Sequence, residues 1–233
     1  MSISVQSTMS VNTSNSPDGT GVLIFNGEMI LLYTTHVKMS FSNNAAPALK
    51  GANVGSIYLT SHRVIFMNKS KKGLLKSFSM PFQALKSVKL EQPLITPNYL
   101  VEDAEALPDG QFEGKVRWKL VFPKGGCIEF GQSLLLCSEI VSRRQFSASL
   151  VYIPSAPSAY YISPPAYYMP HSGKVNGFQA LMHVFPEKPK AEHVYMYEAP
   201  PPHAGIGQRS PIPFNNLQFA GTTSGRPPTS RES

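Results

Sequence analysis

The composition of this chain argues against a single compact domain. Only 15% of its 233 residues are charged and 21 are proline, whereas charged residues make up about a quarter of a typical globular domain. We therefore expect a folded part joined to a segment that does not fold. The mild formal net charge of +7 predicts only non-specific attraction to phosphates and no direct nucleic-acid partner.

We expect an intracellular, soluble protein. No basic and then apolar leader opens the chain, and the longest apolar runs, such as 29–33, are far too short to cross a bilayer. The two cysteines, Cys127 and Cys137, stand in apolar surroundings without other ligands at metal-binding spacing. Reduced, buried thiols, no metal and no cofactor are therefore expected.

Residues 1–20 are predicted to be disordered, because they are rich in Ser, Thr and Asn and hold few large apolar groups. From Gly21 onward, short apolar or alternating runs follow one another, separated by glycine and proline. Alternation with a period of two is clearest in KVRWKLVF (115–122), and CIEF (127–130) is interpreted as one more short strand. About seven such strands predict a mainly β, antiparallel sandwich or barrel.

One segment, 130–146, predicts a single amphipathic helix that closes this domain. Its apolar residues Leu134, Cys137 and Val141 recur at helical spacing, and basic side chains stand near its end, where positive charge suits the helix dipole. After about residue 150 all periodicity stops. Because 14 of the 21 prolines and seven of the ten tyrosines lie there, we predict a disordered Pro/Tyr-rich tail over 149–233.

Four segments of the predicted domain resemble the WW domain-binding protein 2 family in their order and spacing. They are GSIYLTSHRVIFM (55–67), FSMPFQALKSVKLEQP (78–93), NYL (98–100) and WKLVFPKGGCIEFGQSLL (118–135). The resemblance implies a GRAM domain over residues 21–148. It also implies the fold of that domain, a pleckstrin-homology-like, strongly bent antiparallel sheet of about seven strands, closed at one end by a C-terminal helix.

The same resemblance implies a non-enzymatic adaptor of the cytoplasm and nucleus. Members of the family bind WW domains of HECT-type ubiquitin ligases and of transcriptional coactivators through PPxY motifs in a proline-rich tail. The present chain has one complete motif of this kind, Pro164-Pro165-Ala166-Tyr167, and the repeated units of its relatives are missing. The transcriptional, the ubiquitin-ligase and the germ-cell role found in the family all stay open.

The residue types of this motif fit a WW groove. In polyproline II, three residues make one turn, so Pro164 and Tyr167 lie on one edge, about 9 Å apart at ~3.1 Å per residue. A WW domain offers an aromatic groove to proline, and the tyrosine adds a rigid ring with a hydroxyl group. Tyr167 is also a candidate for phosphorylation, and the added negative charge is expected to block docking.

A second candidate site is the basic run NKSKKGLLK (68–76), between two predicted strands. Its four lysines, Lys69, Lys71, Lys72 and Lys76, could bind phosphoinositides or another anion. The alternative is a solvated turn that keeps a hairpin soluble. A peripheral membrane-binding module is therefore the second functional hypothesis for this chain.

The remaining candidates favour structural roles. No nucleophile elbow, zinc motif, P-loop or glycine fingerprint is present, so an enzyme is not expected. The acidic run EDAEALPDG (102–110) is interpreted as a solvated loop. We expect Arg63 to form a structural ion pair or to cap backbone carbonyls, His36 to be exposed and Trp118 to lie in the core.

Overall fold

An eight-stranded antiparallel sheet forms the body of the protein in the computed structural model, which describes residues 9–43, 46–105, 112, 114–145, 160–162, 174–175 and 178–197. Within these ranges, nine strands precede helix α1 (Cys127–Gln145). They are β1 (Ser10–Val11), β2 (Val22–Phe25), β3 (Ile30–Ser42), β4 (Ala52–Thr60), β5 (Arg63–Asn68), β6 (Ser77–Pro81), β7 (Lys89–Glu91), β8 (Tyr99–Glu105) and β9 (Lys115–Val121). The strand order in the large sheet is β1-β6-β5-β4-β3-β9-β8-β7.

The long strand β3 bends the sheet, because it pairs with β4 along most of its length and with β9 only from Lys38 to Ser42. Its register against β4 shifts between Thr34 and Val37, and His36 within that shift has a φ of 62°. An extra residue of this kind kinks a strand and increases its twist. As predicted, His36 is exposed.

Helix α1 covers one side of the core formed by this sheet. Its Leu134, Cys137 and Val141 are buried, as are the inward-facing residues of β9, and Trp118 has no exposed surface. The predicted mainly β architecture, a bent antiparallel sheet closed by a C-terminal helix, is confirmed. In the described residues, no helix combines the length and apolar character needed to span a membrane.

The helix begins earlier than predicted, since CIEF forms its first turn and not a strand. The two preceding glycines, Gly125 and Gly126, have φ values of 86° and 84°. Glycine reaches such angles without steric cost, so this pair reverses the chain after β9 and starts the helix at Cys127.

The prediction of a disordered N-terminus is wrong for residues 9–20. Met9 and Val11 are buried in the main core, and β1 adds to the edge of β6, with Ser10 opposite Ser79. The Asn12 side chain accepts the Lys76 N–H and donates to the Leu74 carbonyl. Two apolar side chains and satisfied polar groups are enough to fix a segment that composition alone predicts to be disordered.

Residues 178–197, which we call the C-terminal strap, lie within the predicted disordered tail but pack on the domain. Phe178, Ala180 and Phe185 are buried in the main core. The strap ends in strand β13 (Val194–Tyr197), which pairs in parallel with β2. Three further short strands are β10 (Tyr160–Ile162), antiparallel to β13, and the pair β11 (Lys174–Val175) and β12 (Phe178–Gln179).

Strands β2 and β13 cover the outer face of the large sheet. Val22, Ile24, Val194 and Met196 form a second apolar cluster with residues of β3, β4 and β5, among them Ile65. Because alternate residues of β5 point to the main core and to this second cluster, the strand is apolar along its whole length. The strap therefore contributes to the folded unit.

Candidate functional site

The basic loop between β5 and β6 has a defined shape. The Asn68 amide donates to the Leu75 carbonyl at 2.9 Å, and Asn12 binds the same stretch from the N-terminal segment. Lys76 is half-buried and its ammonium group donates to the Lys71 carbonyl. Lys76 therefore helps to hold the loop together, which sets it apart from the other three predicted lysines.

Lys69, Lys71 and Lys72 are exposed at this loop. Within the described ranges, none of them forms an ion pair with a carboxylate. Three ammonium groups on a held loop can attract phosphate groups at a surface, each with a contribution of about 1 kcal/mol at an anionic membrane. The arrangement permits an anion-binding role.

The PPAY residues Pro164, Pro165 and Tyr167 lie outside the described part of the chain. The elements on either side of them are described. Strand β10 ends at Ile162, opposite Tyr195 of the strap, and the strap begins at Phe178. The motif is therefore bracketed in sequence by segments that contact the domain.

Glu28 and Arg63 form a buried ion pair beneath β2. Arg63 Nε lies 3.0 Å from Glu28 Oε1 and its Nη2 3.1 Å from Oε2. The guanidinium also donates to the carbonyl of Leu23 and to the hydroxyl oxygens of Ser14 and Ser79. Because all three guanidinium nitrogens donate to protein atoms, the predicted structural ion pair of Arg63 is confirmed.

The pair keeps the buried Glu28 carboxyl group ionised. Burial alone would raise the pKa of Glu28, but the Arg63 guanidinium, the neighbouring His62 and hydrogen bonds from Arg63 and Thr60 hold it at about 2. The ring of Phe25 stacks on the guanidinium, with its centroid 4.5 Å from Cζ. The cluster fastens the N-terminal segment, β2, β5 and β6 to one another.

A polar groove of about 320 Å³, which the sequence did not suggest, lies over β3, β7, β8 and β9. Arg117 donates to Asp103 from Nε at 2.7 Å, and the Lys119 ammonium lies 3.6 Å from the centroid of the Tyr99 ring. Three carboxylates and three cations line the groove, so their formal charges balance; they are Glu91, Glu102, Asp103, Lys89, Arg117 and Lys119.

The acidic run predicted to be a loop begins within β8, and Glu102 is buried. Its Oε1 accepts the backbone N–H groups of Lys86 and Ser87 at 2.6 and 2.7 Å. Burial raises the pKa of Glu102 against these hydrogen bonds. It ties the connection between β6 and β7 to the sheet. Across the described residues, no three His, Cys, Asp or Glu side chains cluster closely enough to hold a metal ion.

Residues 25–137 match the family model of the GRAM domain. This chain contains a GRAM domain. Its β1 and strap lie outside the matched range, so the folded unit is larger than that range. The interpretation of the chain as GRAM-containing is confirmed.

The chain is 37% identical to WW domain-binding protein 2 of Homo sapiens and of Rattus norvegicus over 159 residues, 67% of this chain. It is 35% identical to the human postacrosomal sheath WW domain-binding protein over 138 residues, 58% of this chain and 45% of that protein. The predicted resemblance to WW domain-binding protein 2 is confirmed. The match spans 60% of the length of those first two relatives.

Among solved structures, the Vps36 N-terminal PH domain is similar, with a TM-score of 0.43 and 18% sequence identity. The similarity covers 58% of this chain and 96% of that domain.

Proposed function

We propose that this protein is a non-enzymatic adaptor that binds WW domains through Pro164-Pro165-Ala166-Tyr167. The observation that carries the proposal is the 37% identity to proteins named for WW-domain binding, in a chain that holds one complete PPxY motif. HECT-type ubiquitin ligases and transcriptional coactivators of the cytoplasm and nucleus are the partners that we propose.

The motif has the physical properties that this partner requires. Proline fixes φ near −65°, so little conformational entropy is lost when the segment docks. The aromatic ring of Tyr167 supplies a large apolar surface at a low entropic cost, and its hydroxyl group supplies a hydrogen bond. With one motif there is no avidity from neighbouring copies, so binding depends on the side chains of Pro164, Pro165 and Tyr167.

The test is a titration of the full chain with an isolated WW domain, measured by isothermal titration calorimetry. We expect Tyr167→Ala to weaken binding at least about tenfold, corresponding to roughly 1.4 kcal/mol. The adjacent tyrosine offers a matched control, and Tyr168→Ala is expected to bind like the wild type. Equal affinities of wild type and Tyr167→Ala for every WW domain tested would refute the adaptor proposal.

Phosphorylation of the same side chain is proposed to switch the interaction off, because phosphate adds charge to a ring that enters an apolar pocket. A synthetic peptide over 160–172 with phosphate on Tyr167 is expected to bind a WW domain more weakly than the plain peptide. Unchanged affinity of the phosphorylated peptide removes this regulatory idea and leaves the adaptor proposal intact.

A second candidate function is binding of phosphoinositides by the basic loop. The supporting observation is that Lys69, Lys71 and Lys72 are exposed on a loop held by Asn12 and Asn68. Replacement of Lys71 and Lys72 by glutamate is expected to remove the gain in sedimentation that phosphoinositides add to phosphatidylcholine vesicles. Unchanged sedimentation of that variant would show that this loop is not the binding site.

A further inference from the structure

The hairpin loop between β7 and β8 carries two adjacent aliphatic side chains that no described residue covers. Leu94 and Ile95 have relative exposures of 105% and 97%, and every residue from 91 to 97 is exposed. Pro93 and Pro97 flank the pair. Single exposed aliphatic residues are ordinary at protein surfaces, but two neighbours projecting fully from one tip need an apolar environment elsewhere.

This loop, which we call the apolar tip (92–98), leaves β8 in the strand direction opposite to that in which the basic loop leaves β5. In the strand order β5-β4-β3-β9-β8 all neighbours are antiparallel, so β5 and β8 run in the same direction. The apolar tip precedes β8, whereas the basic loop follows β5. Strands β4, β3 and β9 lie between β5 and β8, so the two loops are separate sites on the sheet.

Three lysines lie near the base of the apolar tip. Tyr99, the first residue of β8, carries the Lys119 ammonium 3.6 Å from its ring centroid. Tyr99 is paired with Val121, and Val121 in turn with Lys38, which is exposed. Lys124 is exposed in the turn that follows β9 at the same end. Along this row of paired residues the one carboxylate is Glu91, opposite Tyr99.

We propose that the apolar tip inserts into the surface of an anionic phospholipid bilayer, with Leu94 and Ile95 in the acyl boundary and the lysines at the headgroups. Among the described residues of this hairpin, the exposed large aliphatic side chains are Leu94, Ile95 and Leu90, far fewer than the roughly 20–30 residues a side that a stable protein interface uses. Aliphatic side chains buried by about 5–10 Å below a ring of lysines and a tyrosine are the pattern of interfacial membrane anchors.

Two properties of the apolar tip favour insertion. The flanking prolines restrict the backbone, so less entropy is lost when the loop leaves water. The lysines lie at the base of the tip and not at its apex, so the apolar side chains enter the bilayer while the ammonium groups stay at the headgroup level. This site differs from the basic loop in position and in chemistry, and it does not depend on WW binding.

The test uses the full chain and vesicles of phosphatidylcholine, with and without phosphatidylserine, whose negative charge attracts lysines at the surface. We expect sedimentation with the anionic vesicles, and a loss of at least about tenfold for Leu94→Ser combined with Ile95→Ser. Both side chains are exposed, so the thermal unfolding of the double variant should match the wild type.

Leu74 supplies a matched control, because it is 65% exposed on the separate basic loop. Leu74→Ser is expected to sediment like the wild type. Ile95→Cys labelled with an environment-sensitive dye should shift its emission to the blue on anionic vesicles, whereas Leu74→Cys with the same dye should not. Lys38→Gln combined with Lys124→Gln should weaken sedimentation several-fold.

The proposal is overturned if wild type and the Leu94→Ser, Ile95→Ser variant sediment equally, or if the dye at position 95 stays in water. It is also overturned if soluble inositol phosphates displace the protein completely, since headgroup binding alone would then account for the interaction. If the wild type binds no vesicles but binds a protein partner that the double serine variant does not bind, the apolar tip docks into a protein. WW-domain binding of the serine variant, which should be unchanged, keeps this result separate from the adaptor proposal.

Discussion

Replacement of Glu28 by glutamine tests whether the buried ion pair holds the N-terminal segment, β2 and the large sheet together. Glutamine keeps the shape and the carbonyl acceptor but removes the negative charge, so the Arg63 guanidinium remains in the interior without its counter-charge. Removal of one partner from a buried pair typically costs about 3–5 kcal/mol. The pKa gives a similar magnitude, because a shift from 4.5 to about 2 corresponds to about 3 kcal/mol at neutral pH.

The pH dependence of this contribution has a definite sign. The folded protein holds Glu28 as a carboxylate with a pKa of about 2, below its ordinary value of 4.5. The unfolded chain therefore binds the proton more readily, and the stabilisation is complete above pH 4.5 and lost as the pH falls towards 2. We expect the free energies of unfolding of wild type and Glu28→Gln to differ most at neutral pH and to converge in acid.

Urea unfolding followed by tryptophan fluorescence measures this directly, because Trp118 is the single tryptophan of the chain and has no exposed surface. With a slope of about 2 kcal/mol per molar urea, a loss of about 3 kcal/mol lowers the midpoint by roughly 1.5 M. Glu139→Gln, which breaks the exposed pair with Arg143, should leave the midpoint unchanged. An unchanged midpoint for Glu28→Gln at pH 7 would refute the reasoning.

Three further predictions concern the strap, the thiols and one glycine. Val194→Asp places a carboxylate where no surface is exposed and should cost about 3 kcal/mol or more of unfolding free energy in the same urea assay; wild-type stability would show that the strap is dispensable. Burial raises the pKa of the Cys137 thiol and raises that of Cys127 to about 11. Both thiols should therefore react with a thiol reagent at pH 8 only after urea unfolding. Fast reaction of the native protein would contradict this. Gly55→Ala puts a Cβ 1.9 Å from the Met67 carbonyl oxygen and should lower thermal stability by about 1–3 kcal/mol; an unchanged melting temperature would contradict this.

Local patterns predicted much of the large sheet and its helix. The alternation at 115–122 became β9 with Trp118 in the core, and the spacing of Leu134, Cys137 and Val141 became the buried face of α1. Each pattern lies within one strand or helix, and the spacing of apolar residues in that element is enough to show which face is buried. The continuous apolar run of β5 carried a further signal, that both of its faces are covered.

The strap could not be predicted in this way. β13 has four residues, and its partner β2 stands far away in the sequence, so their pairing depends on tertiary contacts and not on periodicity. The same reason hides Glu28 as the partner of Arg63, although a structural ion pair of Arg63 was expected. The exposure of Leu94 and Ile95 is equally invisible in the sequence, where Leu-Ile between prolines resembles the end of any short strand.

Non-covalent contacts hold the strap on the domain, so it should stay bound even if the backbone is cut before it. A protease cut in the stretch between α1 and Phe178 would yield two chains, one ending after the helix and one beginning before β12. The shorter chain would stay bound, because β13 lies against β2 and Phe178 and Phe185 are embedded in the core. The nicked protein should therefore elute as one species under native conditions and as two fragments in denaturant.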